Sequence, residues 1–129
     1  MNMKITFPGG KQVNAEYEGQ IIATDQPVSD GGDGSAPEPF SLFLASLGTC
    51  AGIYVLGFCQ QRGIDTTGLE LTQEMQFNQA KHLITQIELK IKLPENFPEK
   101  YKSAVIRSAK LCTVKRHLEY PPEFLVTTE

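Results

Sequence analysis

The sequence lacks an excess of positive charge. Its 129 residues include 12 lysines and arginines against 15 aspartates and glutamates, and the formal net charge is −3. This balance gives no electrostatic basis for binding nucleic acid or an anionic membrane surface. The partners that remain are small molecules and other proteins.

Histidine is scarce, and no metal-binding spacing is present. The two histidines are His82 and His117, and no two cysteines have the Cys-x-x-Cys spacing. The Gly-x-Ser-x-Gly motif of serine hydrolases is absent. The glycine-rich stretch at residues 31–34 lacks the Lys-Ser/Thr pair that completes a phosphate-binding loop. We therefore expect no metal, no cofactor and no serine nucleophile.

Cysteine is also rare, and no signal peptide is expected. Pro8 interrupts the chain before an apolar region of signal-peptide length forms, so we expect a cytoplasmic protein. Cys50, Cys59 and Cys112 are odd in number and widely spaced, unlike a disulfide scaffold. In a reducing compartment they are structural thiols, metal ligands or redox groups. Burial as a small apolar residue is the commonest role of a free cysteine.

The longest apolar stretch runs from Pro39 to Gln61 and carries no charge. It is too long for a strand and predicts one helix of about 30 Å. Its apolar residues occur on every face, and a helix of that kind must be buried on all sides. One chain of this length covers such a helix poorly. The sequence therefore predicts a homodimer whose core contains this helix from both chains.

A membrane span is the alternative for this helix, because its length and lack of charge fit one. Glycine, serine, threonine and glutamine dilute its hydrophobicity, and no lysine or arginine cluster flanks it. Gly48 and Gly52 leave a flat strip where a second helix can approach, a spacing that membrane dimers also use. We favour burial in protein, without a membrane.

Alternation of apolar and polar residues predicts antiparallel strands on both sides of the helix. The expected order is a hairpin of Met3–Phe7 and Val13–Tyr17, a strand Gln20–Thr24, a loop Asp25–Pro37, the long helix, a hairpin of Leu69–Phe77 and Leu83–Leu93, a helix from Glu99 to about Leu111 and a strand Phe124–Thr127. This order predicts one α+β domain over residues 1–129, with antiparallel sheet wrapped around a long buried central helix.

The contexts of two cysteines resemble one known family. The segment Pro39-Phe-Ser-Leu-Phe-Leu-Ala-Ser-Leu-Gly-Thr-Cys50, preceded by a loop that starts at Asp25, resembles the loop and core helix of the OsmC/Ohr family. Cys112-Thr-Val-Lys-Arg-His-Leu118 resembles its second cysteine motif, and the order of elements matches along nearly the whole chain. The resemblance implies an OsmC-like fold and an intertwined homodimer with two sites at the subunit interface.

The same resemblance implies a cysteine-based thiol peroxidase for organic hydroperoxides. Cys50 would be the peroxidatic residue, which attacks the hydroperoxide and becomes a sulfenic acid. Cys112 would be the resolving residue, which forms a disulfide with it, and an external dithiol would restore both thiols. The apolar neighbours Phe43, Leu47 and Tyr54 suit an organic substrate. Cys59 lies about half a helical rotation from Cys50 and should face elsewhere.

The sequence departs from the well-characterised peroxidases of the family at two activating residues. Those enzymes carry a glutamate directly after the proline at the start of the helix and an arginine from the N-terminal sheet or loop. Here Phe40 follows Pro39, and no arginine precedes Arg62. Apolar burial raises the pKa of a mid-helix thiol, so some cation is expected to offset it. The alternative is a non-catalytic dimeric binding protein with the same fold.

Overall fold

The computed structural model describes residues Met1–Glu129. The elements are β1 (Lys4–Gly9), β2 (Gln12–Tyr17), β3 (Gln20–Thr24), α1 (Pro39–Gln61), β4 (Glu70–Asn78), β5 (Leu83–Lys92), α2 (Lys102–Ala109) and α3 (Thr113–Glu119), with short 3₁₀ turns at Val28–Asp30 and Glu99–Tyr101. The predicted α+β architecture with antiparallel sheets is confirmed. The chain forms two compact units, Met1–Ala45 and Ser46–Glu129, whose boundary lies inside α1. That the chain is a single domain stays a prediction.

The first unit is built on the three predicted N-terminal strands, which form one antiparallel sheet in the order β1-β2-β3. Ala15 in the central strand pairs with Ile5 on one side and with Ile22 on the other. Ile5 and Ile22 remain 50% and 40% exposed. One chain therefore leaves apolar parts of this sheet in contact with solvent.

The predicted loop after β3 closes around a buried carboxylate. Asp25 is 1% exposed and accepts hydrogen bonds from the hydroxyl and N–H of Ser35 at 2.6 and 3.0 Å. The N–H groups of Gln26 and Asp33 donate to the same carboxylate at 2.7 and 3.3 Å. A buried carboxylate with this many donors replaces its lost hydration with protein hydrogen bonds. Asp25 thus determines the conformation of a loop that has no regular secondary structure of its own beyond one turn.

Helix α1 has the bounds that the sequence predicts, but one chain buries only one side of it. The buried residues are Leu47, Ala51, Val55, Phe58 and Cys59, a spacing that places them along a single stripe. Ile53, away from that stripe, is 59% exposed. Burial of the helix on every side is therefore not achieved within one chain. By length and composition α1 could cross a membrane, a property that it shares with core helices of soluble proteins.

The second unit has its core between α1, α2 and the hairpin of β4 and β5. Val55, Phe58, Cys59, Phe97 and Val105 form the buried cluster. Complete burial of side chains of this size contributes about 1.5–3 kcal/mol each. Half-buried leucines and isoleucines from the near half of the hairpin pack against the cluster, whereas its far half carries exposed apolar side chains: Met75, Phe77 and Leu83.

The predicted second helix is shorter than expected, and a third helix follows it. The helix from Glu99 to about Leu111 begins as a 3₁₀ turn, and its α-helical part ends at Ala109. Cys112 leaves the helical region with φ −50° and ψ 123°, and its sulfur accepts the N–H of Lys115 as the N-cap of α3. Ala104, Val105, Ser108 and Cys112 keep a helical spacing, so the sequence gives no sign that the helix ends before Cys112. Cys112 therefore lies at the start of α3.

The predicted strand Phe124–Thr127 is wrong for the chain by itself. These residues have no regular secondary structure, and Phe124, Leu125 and Val126 are 84%, 80% and 96% exposed. A strand exists only where its backbone pairs with a neighbouring strand. Residues 124–127 favour a strand by composition, but no strand of the same chain pairs with them.

Candidate active site

The fold brings Cys50 and Cys112 together. Cys50 lies in the middle of α1 and Cys112 is the N-cap of α3, and the two thiols are close enough for each to affect the pKa of the other. Both are free thiols in this structure. Cys50 is half-buried and Cys112 is 3% exposed. The contact joins two residues that are 62 positions apart in the sequence, and each lies within a motif singled out by the sequence.

Backbone amides of α3 also point at Cys50. The N–H groups of Thr113 and Val114 lie near enough to its sulfur to lower its pKa. The first N–H groups of a helix have no acceptor within the helix, so they are available for an outside group. Sequence reasoning missed these donors because they belong to the backbone and leave no side-chain signature. Their only signal is the position of residues 113 and 114 directly after Cys112.

These contacts give the two thiols different proton affinities. Burial raises the pKa of Cys50, but the N–H of Val114, the contact with Cys112 and the N–H of Thr113 together lower it below its ordinary value. Burial raises the pKa of Cys112, and the adjacent Cys50 raises it further, against the lowering by the N–H of Lys115. The pair therefore favours a thiolate on Cys50 and a thiol on Cys112.

No cation takes part in lowering the pKa of Cys50 within this chain. The pKa of Cys50 is lowered by the backbone amides of Val114 and Thr113 and by the Cys112 thiol. The sequence had led us to expect a cation in this role. Arg62, the first arginine, lies with its guanidinium 3.6 Å above the Phe58 ring and donates to the Phe58 carbonyl at 3.1 Å. It packs at the C-terminal end of α1. Phe40 stacks on Phe43, with their ring centroids 5.6 Å apart.

Cys112 is held in place by α1 and by its own helix. Its thiol lies 4.0 Å from the Leu47 carbonyl, and the N–H of Lys115 donates to its sulfur at 3.5 Å. Leu47 lies one turn before Cys50 on α1. Cys112 is therefore fixed against the same helical turn that carries its partner.

Tyr54 connects the same helices at two further points. Its hydroxyl lies 3.1 Å from the hydroxyl of Thr113, and its carbonyl accepts a hydrogen bond from Ser108 at 3.1 Å. Tyr54 lies one turn after Cys50. Contacts from α1 to α2 and α3 therefore lie on both sides of the two thiols along α1.

Cys59 is separate from this pair. It is fully buried and packs in the core cluster with Val55, Phe58 and Val105. Burial raises its pKa, and the charge of Arg62 opposes this only in part. The expectation that Cys59 faces away from Cys50 is confirmed. No group of three or more histidine, cysteine, aspartate or glutamate side chains is arranged to hold a metal ion.

A groove of about 560 Å³ runs beside Cys112. Its walls are apolar, and lysines are the only charged residues that line it. The residues nearest the cysteines in sequence are Leu47, Ala51, Ala109, Lys110 and Lys115. Small-molecule sites have this range of volume and this apolar character. The groove therefore places a largely apolar surface beside Cys112.

Comparison with known proteins identifies one family. A protein-family model described as "OsmC-like protein" matches residues 32–127, a span that includes α1, both sheet strands of the second unit and both candidate cysteines. No curated protein matches the sequence.

Solved structures share the fold at low sequence identity. An osmotic stress induced and detoxification response protein from Psychrobacter arcticus superimposes with a TM-score of 0.74 and 21% identity, over 90% of this chain and 86% of that one. An organic hydroperoxide resistance protein OsmC from Legionella pneumophila has a TM-score of 0.56 and 18% identity, over 92% and 89%. The organic hydroperoxide resistance protein OhrB of Bacillus subtilis has a TM-score of 0.50 and 13% identity, over 91% and 90%. At these identities the similarity shows the fold.

Proposed function

Because the chain belongs to the OsmC-like protein family, we propose that it is a cysteine-based thiol peroxidase that reduces organic hydroperoxides. The observation that carries the proposal is that Cys112 lies beside Cys50, with its thiol 4.0 Å from the carbonyl of Leu47 one turn before Cys50. A thiol with a lowered pKa beside a protonated second thiol is the arrangement that two-cysteine peroxide chemistry requires.

The first step uses the Cys50 thiolate as the nucleophile. It attacks the terminal oxygen of the hydroperoxide, the O–O bond breaks, and the alkoxide leaves as the alcohol after taking up a proton. The Cys50 sulfur is oxidised to a sulfenic acid, and the hydroperoxide is reduced by two electrons. The amides of Thr113 and Val114 stabilise the sulfur while it is negatively charged, and they do so without a side-chain cation.

The second step forms a disulfide. The Cys112 thiol loses its proton and attacks the sulfenic sulfur of Cys50, and the hydroxyl leaves as water. The two thiols already lie beside each other, so the disulfide, with a bond length of about 2 Å, joins groups that the fold has brought together. An external dithiol then reduces the disulfide by thiol–disulfide exchange and is itself oxidised.

The apolar groove beside Cys112 supports an organic substrate or reductant over hydrogen peroxide. A substrate with a hydrocarbon group would bind more tightly there, because its apolar surface is removed from water. Hydrogen peroxide has no apolar surface and would gain nothing from these walls. The names of the structural relatives from Legionella pneumophila and Bacillus subtilis, both organic hydroperoxide resistance proteins, point to the same class of compound.

The proposal includes a homodimer in the cytoplasm, without a membrane or nucleic-acid partner. Large apolar side chains are exposed in each unit of the single chain, among them Phe40, Ile53 and Phe77. Exposed apolar area on this scale marks an interaction surface. A second copy of the chain packed along α1 would remove this apolar area from water. It would also bury the sides of the helix that one chain leaves exposed, as expected for a helix that is apolar on every face.

Phe40 and the absence of an arginine before Arg62 favour a second candidate, the non-catalytic dimeric binding protein. In that protein the groove binds a small organic ligand and the cysteines only pack. It differs from the peroxidase in a simple way, because its folded wild type neither consumes hydroperoxide nor links Cys50 to Cys112 upon oxidation.

Three serine variants test the peroxidase in an assay that couples cumene hydroperoxide reduction to dithiothreitol. Cys50→Ser should abolish turnover, because a hydroxyl is a far weaker nucleophile without a dedicated base. Cys112→Ser should consume one equivalent and stop at a sulfenic acid that dimedone labels. Cys59→Ser is the matched control: it should retain turnover and lose about 1–3 kcal/mol of stability, because its hydroxyl lies in the core. Turnover by Cys50→Ser, or none by the wild type, would refute the peroxidase.

A further inference from the structure

Residues 120–129, the exit segment, follow α3 and have no partner in the same chain. The segment contains no helix or strand. Its large apolar side chains are at least 78% exposed: Tyr120, Phe124, Leu125 and Val126. A continuous apolar patch in contact with water marks an interaction surface. The exit segment is therefore a candidate for contact with another molecule.

Two prolines stiffen the start of the exit segment. Pro121 and Pro122 have a fixed φ and no N–H, and the residue before a proline is biased toward extended backbone. Tyr120, which ends α3, already has a non-helical φ of −127° and ψ of 72°. A stiff, extended connection carries the segment away from its own chain, and segments of this kind exchange readily between identical copies.

The groove beside Cys112 has the complementary character. Its walls are apolar, and its charged residues are three lysines: Lys102, Lys110 and Lys115. The first and the last of these pair with glutamates three or four residues away, in exposed ion pairs that contribute little stability. Lys110 forms no ion pair in the chain. Ile106 and Leu118 also line the groove and are half-exposed, so one chain leaves the groove open to solvent.

The exit segment matches this groove in composition. Its apolar residues Phe124, Leu125 and Val126 lie between Glu123 and Glu129, and the segment contains no lysine or arginine. An apolar stretch with negative charges before and after it complements an apolar groove whose charges are all positive. The groove and the segment therefore fit each other in both hydrophobicity and charge.

We propose that the exit segment of one copy lies in the groove of a second copy, so that two chains build the cavity beside Cys112. This inference rests on the homodimer of the proposed function. The apolar residues of the segment cover the apolar walls, and Glu123 and Glu129 lie near the lysines. Because the exchange is reciprocal between identical chains, each dimer contains two such cavities.

The test joins lysines to carboxylates with a water-soluble carbodiimide, which forms an amide between the two groups and adds no spacer. Unlabelled chains and chains carrying a heavy nitrogen isotope are unfolded and refolded together, then cross-linked and digested. We expect mass spectrometry to find peptide pairs, one labelled and one unlabelled, that join Glu123 or Glu129 to a groove lysine. Pairs that are never isotopically mixed would show that the segment binds its own chain. That result, or the absence of these pairs, would overturn the inference.

Charge reversal tests the same contact by its effect on assembly. Glu123→Lys and Lys110→Glu should each raise the dissociation constant of the dimer by about 10-fold, because a dimer contains two such contacts and each variant replaces attraction by repulsion. The double variant should return close to the wild-type value. Glu95→Lys and Lys81→Glu are the matched controls, because both residues lie in exposed turns outside the groove and form no ion pair. A double variant no tighter than the single ones would contradict the pairing.

Phe124→Ala separates the exchange from the stability of one chain. Phe124 is exposed within its own chain, so its removal should leave that chain's fold intact and weaken the dimer by about 10-fold, as loss of a buried aromatic contact does. A wild-type dimer on which none of these substitutions acts would overturn the inference and leave the homodimer standing. The measurements contain no hydroperoxide, so a wild type without turnover would refute the peroxidase and leave the exchange standing.

Discussion

Replacement of Gly32 by alanine should disrupt the loop that leads into α1. An added Cβ at Gly32 would lie 2.0 Å from the carbonyl oxygen of Gln26, 2.6 Å from its carbonyl carbon and 2.9 Å from a carboxylate oxygen of Asp25. Ordinary van der Waals contacts of a Cβ are 3.4–4 Å long, so the first of these is too short by at least about 1.4 Å. The obstacle is backbone, so rotation of a flexible side chain cannot relieve it.

The backbone at Gln26 cannot move away freely because other groups hold it. Its carbonyl accepts the N–H of Gly34 at 3.0 Å, and its N–H donates to Asp25 at 2.7 Å. Overpacking against a fixed neighbour costs about 1–3 kcal/mol, and one lost backbone hydrogen bond costs about 1 kcal/mol more. We expect Gly32→Ala to lower the free energy of unfolding by about 2–4 kcal/mol.

Urea unfolding followed by circular dichroism, at one fixed protein concentration, measures this change. Gly57→Ala is the matched control, because a Cβ at Gly57 meets no atom within 4 Å. Alanine is the better helix former by about 1 kcal/mol, so the control should be as stable as the wild type or more stable. A loss of less than about 0.5 kcal/mol for Gly32→Ala would refute the steric argument.

Two further predictions concern charge and assembly. Hydrogen bonds from the Ser35 hydroxyl and from the N–H groups of Ser35 and Gln26 lower the pKa of Asp25 from 3.8 to about 2. Its folded pKa lies below the unfolded one, so ionised Asp25 stabilises the fold above about pH 4 and loses this effect toward pH 2. Asp25→Asn should flatten the stability curve over that interval, and parallel curves for variant and wild type would contradict this. A Cβ added at Gly52 would meet no atom of another element within 4 Å in one chain, so Gly52→Leu should weaken only a dimer packed along α1, by about 1–3 kcal/mol. Sedimentation at micromolar concentration measures this, and a wild type that is a stable monomer would refute the dimer.

Local patterns in the sequence were sufficient for most of the secondary structure. The bounds of α1 follow from an uncharged stretch between Glu38 and Arg62, and the hairpin of β4 and β5 follows from strict alternation. These signals are local, because the spacing of apolar residues within one segment determines which side of a helix or strand they occupy. The break at Cys112 was missed for the same reason, since a helical spacing continued through it and a cysteine N-cap carries no familiar signature.

The resemblance of the two motifs to one family indicated that Cys50 and Cys112 belong together, and Cys59 was correctly set apart by its position on α1. The sequence also showed which activating side chains are missing. It was silent on the groups that contact Cys50 in their place, because amides at Thr113 and Val114 are present in every chain whatever its side chains.

What the sequence determined by itself is most of the elements from β1 to α2 and the two candidate thiols, since both depend on residue identity and short-range period. What only the tertiary structure decided is the environment of those thiols. The pKa of Cys50 depends on which backbone N–H groups reach its sulfur, and that depends on how α3 is placed against α1. The same holds for Asp25, an ordinary loop aspartate in the sequence, which becomes a buried acceptor of four hydrogen bonds once the loop closes around it. Proton affinity is a property of surroundings, and surroundings are set by contacts between residues that are distant in the chain.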